Sequence, residues 1–164
     1  MNLHELLITP GASLPFRQEL SCERLDFPSV LGYIEPPIGE GIIVNTAGAL
    51  TLRGNIRAKM RCTCDRCMAE FDQPMEVALE VPLAAELQDE EDPDYFLLDG
   101  DELDLDDLLE TNFILNMDTQ FVCSEDCKGL CWRCGKNLNF GPCSCKAEND
   151  PRLAVLEQLL ENKE

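Results

Sequence analysis

Strict alternation of apolar and polar residues marks the middle of the chain. In the run Asn55-Ile56-Arg57-Ala58-Lys59-Met60-Arg61, the apolar Ile56, Ala58 and Met60 fall on one side and Arg57, Lys59 and Arg61 on the other. That is the period of a half-buried strand. Upstream, Ile42-Ile43-Val44 leads to Ala47-Gly48, and Leu50-Thr51-Leu52 opens the second strand of a hairpin. Downstream, Val77, Leu79, Val81 and Leu83 share one face, and Pro82 among them argues for an edge strand or a strand end. The period changes near Asp104. Leu105, Leu108, Leu109 and Phe113 follow at helical spacing, with acids in the first turn where the helix dipole favours them. Asp150-Pro151 predicts another helix start, with Asp150 as N-cap and proline at the first helical position. Leu153, Leu156 and Leu160 then form an apolar stripe for the sheet or for a partner.

The first 40 residues are patterned less clearly. Leu3, Leu6, Leu7 and Ile8, then Leu14, Phe16 and Leu20, are interrupted by Pro10, Gly11 and Pro15 and read as short strands or a helical turn with loops. Proline and glycine punctuate Glu35 to Gly41, which reads as a turn or loop. The expected fold is α+β: a mainly antiparallel sheet over residues 14–83, a helix near 104–116, and a cysteine-rich, zinc-binding C-terminal segment with a last helix. Two units are expected, a mainly β core with a central cysteine knuckle and acidic helix over 1–118, and the metal-binding segment over 119–164.

Composition changes this picture little, and charge changes it more. With 45% apolar and 27% charged residues the chain is an ordinary globular one. No basic segment followed by an apolar run opens it, and no apolar stretch approaches the roughly 20 residues that span a bilayer. It is therefore expected to be soluble and cytoplasmic, without membrane contact. The net charge is −19, from 32 acids and 13 bases. A field of that sign disfavours nucleic acid overall and favours a basic partner such as a ribosomal protein. Thirteen of the acids lie in residues 86–110, which hold no lysine or arginine.

The chemistry lies in the cysteines. Six fall within residues 123–145, and Cys62, Cys64 and Cys67 precede them. Without a secretory context such density reads as metal ligation before disulfides. Cys131-Trp132-Arg133-Cys134-Gly135 has the form of a knuckle, in which two intervening residues let both sulfurs reach one ion and the glycine fits a tight turn. Cys127-x3-Cys131-x2-Cys134 also has the spacing of a radical iron–sulfur motif, but no βαβ pattern surrounds it. A redox pair at Cys64 and Cys67 would call for a following helix, and none is patterned there. A structural iron–sulfur cluster stays open, but zinc fits best, and a site made wholly of thiolates is closed and structural. The lone His4 is remote and reads as a surface or packing residue; Cys22 reads as a small buried side chain.

Setting Cys22 and Cys62 aside leaves eight thiols, enough for two ions. The simplest pairing puts Cys64, Cys67, Cys123 and Cys127 at one and Cys131, Cys134, Cys143 and Cys145 at the other. One site drawn from Cys123, Cys127, Cys131, Cys134 and a later thiol competes with it.

The runs CDRCMAEF, CSEDCKGLCWRCGKNLN and DPRLAVLEQLL resemble the YceD family, the large ribosomal RNA subunit accumulation proteins. The resemblance implies a non-enzymatic cytoplasmic factor in ribosome biogenesis, required for normal levels of large-subunit rRNA. It implies no catalytic residue and no small-molecule substrate. The alternative is a protein whose thiols carry redox or metal-handling chemistry.

Charge placement adds an expectation of its own. Arg53, Arg57, Lys59, Arg61 and Arg66 cluster within 14 residues around the central knuckle, and Lys128, Arg133, Lys136 and Lys146 lie among the late cysteines. Arg57, Lys59, Arg61 and Arg66 are thus candidate contacts for an rRNA precursor, through phosphates. The other possibility is that these bases merely offset nearby acids and thiolates.

Overall fold

The computed structural model describes residues 1–84 and 95–145. A short helix α1 (His4–Ile8) precedes the strands β1 (Ser13–Glu19), β2 (Val30–Thr46), β3 (Ala49–Thr63), β4 (Glu70–Ala84) and β5 (Phe96–Leu97), and helix α2 (Leu105–Leu115) follows. The strands form one sheet in chain order, antiparallel except for the short parallel pair β4–β5. The helix expected from Pro151 lies outside the described residues.

The alternating run behaves as its period requires. On β3, Leu50, Leu52, Ile56, Ala58 and Met60 are buried, while Arg57 and Arg61 point to solvent. Val77, Leu79 and Leu83 of β4 extend that apolar face, and Val81 is partly buried beside it. Ala47 (φ 54°) and Gly48 (φ 96°) make the two-residue turn between β2 and β3, with Thr46 paired to Ala49. Both turn residues lie in the left-handed region, the conformation whose twist matches a hairpin. Pro82 sits near the end of β4, where only Leu83 and Ala84 have an outer neighbour.

Helix α2 closes the core. Asp104 caps it by accepting from Asp107 N at 3.0 Å, and Leu105, Leu108, Leu109 and Phe113 are buried against the sheet. Glu110 is buried with them, its Oε2 2.9 Å from Arg24 Nη1.

Two expectations are corrected here. Glu35 to Gly41 is not a loop: β2 runs through it. The ladder loses register between Glu35 and Ile38, and that irregularity accommodates Pro36 and Pro37, which have no N–H to give. The glycines answer to close approach rather than to a turn. A Cβ on Gly39 would lie 2.6 Å from Leu109 Cδ1, and one on Gly41 2.1 Å from the Arg53 carbonyl oxygen. Cys22 is the second correction. It is exposed in a single 3₁₀ turn (Cys22–Arg24), while Leu20 and Leu25 on either side fill the core. The buried extra thiol is Cys62, on the inner face of β3 among the apolar residues.

Candidate metal centres

Two groups of four cysteines come together. Cys64, Cys67, Cys123 and Cys127 form one, Cys131, Cys134, Cys143 and Cys145 the other, with the sulfurs of each group within 4.8 Å of one another. In the first, Cys64 and Cys127 sulfurs are 3.8 Å apart and those of Cys67 and Cys123 3.6 Å. In the second, Cys131 and Cys143 sulfurs are 3.4 Å apart. Four sulfurs at about 2.3 Å from a tetrahedral ion stand about 3.8 Å from each other, so either group could hold a metal ion. The competing single site is not what the fold assembles.

The first knuckle is the turn between β3 and β4. Met68 N donates to the Cys64 carbonyl at 2.9 Å and Cys64 N to the Ala69 carbonyl at 2.8 Å. The second repeats the pattern: Gly135 N donates to the Cys131 carbonyl at 2.8 Å, and Cys131 N to the Lys136 carbonyl at 2.8 Å. The residue after the second cysteine of each pair takes positive φ, 60° at Met68 and 71° at Gly135. Backbone N–H groups thereby turn toward the sulfurs. Cys123 N donates to the Cys64 sulfur at 3.4 Å, and Asn139 Nδ2 to that of Cys127 at 3.4 Å.

These donors separate the thiols electrostatically. Burial opposes ionisation of Cys64, yet backbone N–H groups of Cys123, Arg66 and Cys67 outweigh it and bring its pKa down to about 6. The N–H groups of Cys134 and Arg133 bring Cys131 down to about 6. Cys123, facing Cys67, is pushed up to about 12, as is Cys145 facing Cys134. Four thiolates cannot share such a volume without a cation; a dication at the centre removes the conflict and releases the remaining protons.

The two groups differ in what surrounds them. In the first, Cys64, Cys67 and Cys127 are buried, and Phe71 and Val122 pack on them. Asp65 fastens the incoming segment: one carboxylate oxygen accepts from Ser29 Oγ at 2.5 Å, the other from Phe121 N at 2.6 Å, and Asp65 N donates to the Phe121 carbonyl. These same bonds, Ser29 first, hold the Asp65 carboxyl below its ordinary pKa. Arg66, a candidate RNA contact by sequence, directs Nη1 to the carbonyls of Glu125 and Cys127, each at 3.3 Å. In the second group only Cys131 is buried. The boundary expected at 118/119 therefore falls between the two halves of one cluster.

The basic row of β3 is on the outer face, opposite acids. Arg57 meets Glu40 and Glu76, each at 3.1 Å, Arg61 meets Asp72 at 2.6 Å, Lys59 lies 3.8 Å from Asp72, and Arg53 is 3.0 Å from Glu80. Each base has a carboxylate neighbour. His4 is exposed and bonds Asp101 at 2.7 Å. Sequence reasoning missed Asp65 and Asn139. The polar residue inside a knuckle was a faint signal for Asp65; nothing local marks Asn139, whose partners Lys128 N and the Cys127 sulfur lie across the lobe.

No helix among the described residues is long and apolar enough to cross a membrane. No solved structure matches the chain. A protein of Bacillus subtilis (strain 168), uncharacterized protein YlbN, is 30% identical over 108 residues, covering 64% of this chain and 63% of that relative. The chain thus aligns with less than two thirds of that relative's length. The profile of the large ribosomal RNA subunit accumulation protein YceD matches residues 52–160, which take in both knuckles, helix α2 and all eight clustered cysteines. The chain belongs to the YceD family.

Proposed function

We propose that this protein is a non-enzymatic, cytoplasmic ribosome-biogenesis factor that supports accumulation of large-subunit rRNA, its two thiolate clusters holding structural zinc. Family membership over residues 52–160 carries the reading. The donor sets support the structural role of the metal. Each cluster is four thiols with no histidine or carboxylate among the described residues, and a complete four-thiolate set leaves no ligand position for water or substrate. Zinc would tie β3 and β4 to the 123–127 segment at the first cluster and fold the 131–145 segment on itself at the second. Recognition would then be by surface contact with a ribosomal protein or an rRNA precursor.

Depleting the protein should lower the ratio of large- to small-subunit rRNA, and tagged protein should recover large-subunit components from lysate, with and without RNase. An unchanged ratio and no such component recovered would reject the proposal. Elemental analysis and alkylation separate it from thiol chemistry: about two tightly held zinc ions with unreactive clustered thiols fit the structural role, and metal-free, readily alkylated thiols fit redox or metal handling.

A further inference from the structure

We propose that the lobe formed by residues 127–145 is a docking surface for single-stranded RNA, with Trp132 and Phe140 stacking on bases and Lys128, Arg133 and Lys136 meeting phosphates. The inference rests on the ribosome-biogenesis reading and assigns it a surface.

The first observation is exposure. Trp132 is 82% and Phe140 86% exposed, whereas the core takes Phe16, Phe113 and Phe121 to 6% or less. Folding gains nothing from leaving an indole in water, and the knuckle turn does not require one. Its counterpart in the first knuckle is Asp65, whose carboxylate accepts from Ser29 Oγ and Phe121 N and fastens the chain. The same turn thus ties one residue to a neighbouring segment and leaves the other, Trp132, standing in solvent. The adjacent arginines diverge likewise. Arg66 reaches the backbone of the neighbouring segment, while the Arg133 guanidinium carbon lies 4.8 Å from the centre of the Trp132 ring. An indole with a guanidinium beside it offers a base both a stacking face and a nearby positive charge.

The second observation is charge. Residues 127–145 contain Lys128, Arg133 and Lys136 and not one acid, in a chain whose acids outnumber its bases 32 to 13. The three positive side chains outweigh the −2 of a four-thiolate site holding a dication. Among the described residues, neither Lys128 nor Lys136 is in an ion pair. Lys136 Nζ donates to the Pro142 carbonyl at 2.8 Å, which leaves its charge uncompensated among the described residues. The row on β3, by contrast, is matched base for acid.

An acidic protein surface could answer the same charges. RNA is favoured because the exposed residues directly beside the two aromatics, Arg133 and Asn139, are polar, and Leu130, 37% exposed, is the one other large apolar side chain exposed in residues 127–145. Rings standing singly among polar groups suit stacking, whereas the centre of a protein interface is a continuous apolar patch.

The chain has a single tryptophan, so its own fluorescence reports on the site. Zinc-loaded, full-length protein is titrated with a single-stranded oligoribonucleotide of about 12 nucleotides, within the usual span of such sites. The expected result is quenching of Trp132 emission, with log K against log salt falling at a slope of about −2, as three neutralised phosphates on a single strand require. By anisotropy of the labelled oligonucleotide, the W132A/F140A double variant should bind roughly tenfold more weakly or worse, because two stacking faces are lost. W132F should restore most of the affinity, and R57Q/K59Q/R61Q should bind as the parent does, all with unchanged zinc content. Absence of quenching, equal binding by W132A/F140A, or quenching by a polyglutamate peptide in place of RNA would each overturn the assignment. If the parent still recovers large-subunit components from lysate while the RNA titration fails, only this surface is wrong. If it recovers none, the functional reading falls as well.

Discussion

The two knuckles are built on one backbone turn and put to opposite uses. Cys64-Asp65-Arg66-Cys67 and Cys131-Trp132-Arg133-Cys134 share their spacing, both closing hydrogen bonds and the positive φ that follows. The first is wrapped: three of its cluster's four thiols are buried, and two of the four, Cys123 and Cys127, arrive from a segment about 60 residues away in the chain. The second is almost self-contained, with its four thiols inside residues 131–145. The turn geometry therefore sets only that two sulfurs converge. What the site does for the molecule depends on the residue between the cysteines and on where the other pair comes from.

Ligand removal should break the symmetry most. Cys64→Ser deletes a fully buried thiol of the group that joins the sheet to the later segment. It should cost at least about 4 kcal/mol, part of the ~10–16 kcal/mol that structural zinc contributes to small domains. Cys134→Ser, at an exposed ligand, should lose one metal yet leave the sheet's melting midpoint within a few degrees. Thermal melts with elemental analysis decide it, and equal losses of stability would abolish the distinction.

Asp65→Asn tests the fastening next. It keeps the shape but removes the charge that accepts from Ser29 and Phe121. Amide exchange at Phe121 should speed up and the melting midpoint fall, with the metal count unchanged. Trp132→Asn, at the equivalent position, should leave both alone.

A smaller difference lies in the turn residue. Gly135→Ala places a side chain at φ 71°, a conformation that costs about 1 kcal/mol for an L-residue. Met68 already sits at φ 60°, so Met68→Gly removes that strain and should not destabilise the fold. Metal-competition titrations of the second site, and melts of both variants, measure the two effects.

The smallest expected effect separates the β3 row from the late lobe. Asn55, then Arg57, hold the Glu76 carboxyl below its ordinary pKa. A depressed folded value means the stabilisation is present above the unfolded carboxylate range and is lost as pH falls through the folded value. Glu76→Gln should therefore flatten the acid side of the stability profile slightly below about pH 4.5. Substituting Lys128 or Lys136, which have no ion pair among the described residues, should leave that profile unchanged.

Periodicity and spacing by themselves determined the local elements. Alternation from Ile56 to Met60, helical spacing from Leu105 to Phe113 and two CxxC pairs each describe groups a few residues apart, where backbone geometry alone decides which side chains share a face or an ion. Tertiary structure decided everything that joins distant positions. Pro36 to Gly41 punctuates like a loop, but a ladder irregularity and a helix pressed against Gly39 make it strand. The β3 bases look like a basic face in one dimension, but register with β4 sets Glu76 and Asp72 opposite Arg57 and Arg61. Cys64 and Cys67 meet Cys123 and Cys127 because Asp65 and Arg66 dock that segment beside them. A thiol pair specifies half of a four-thiol group; at Cys64 and Cys67, only the packing of the β3–β4 turn against a later segment chooses the other half.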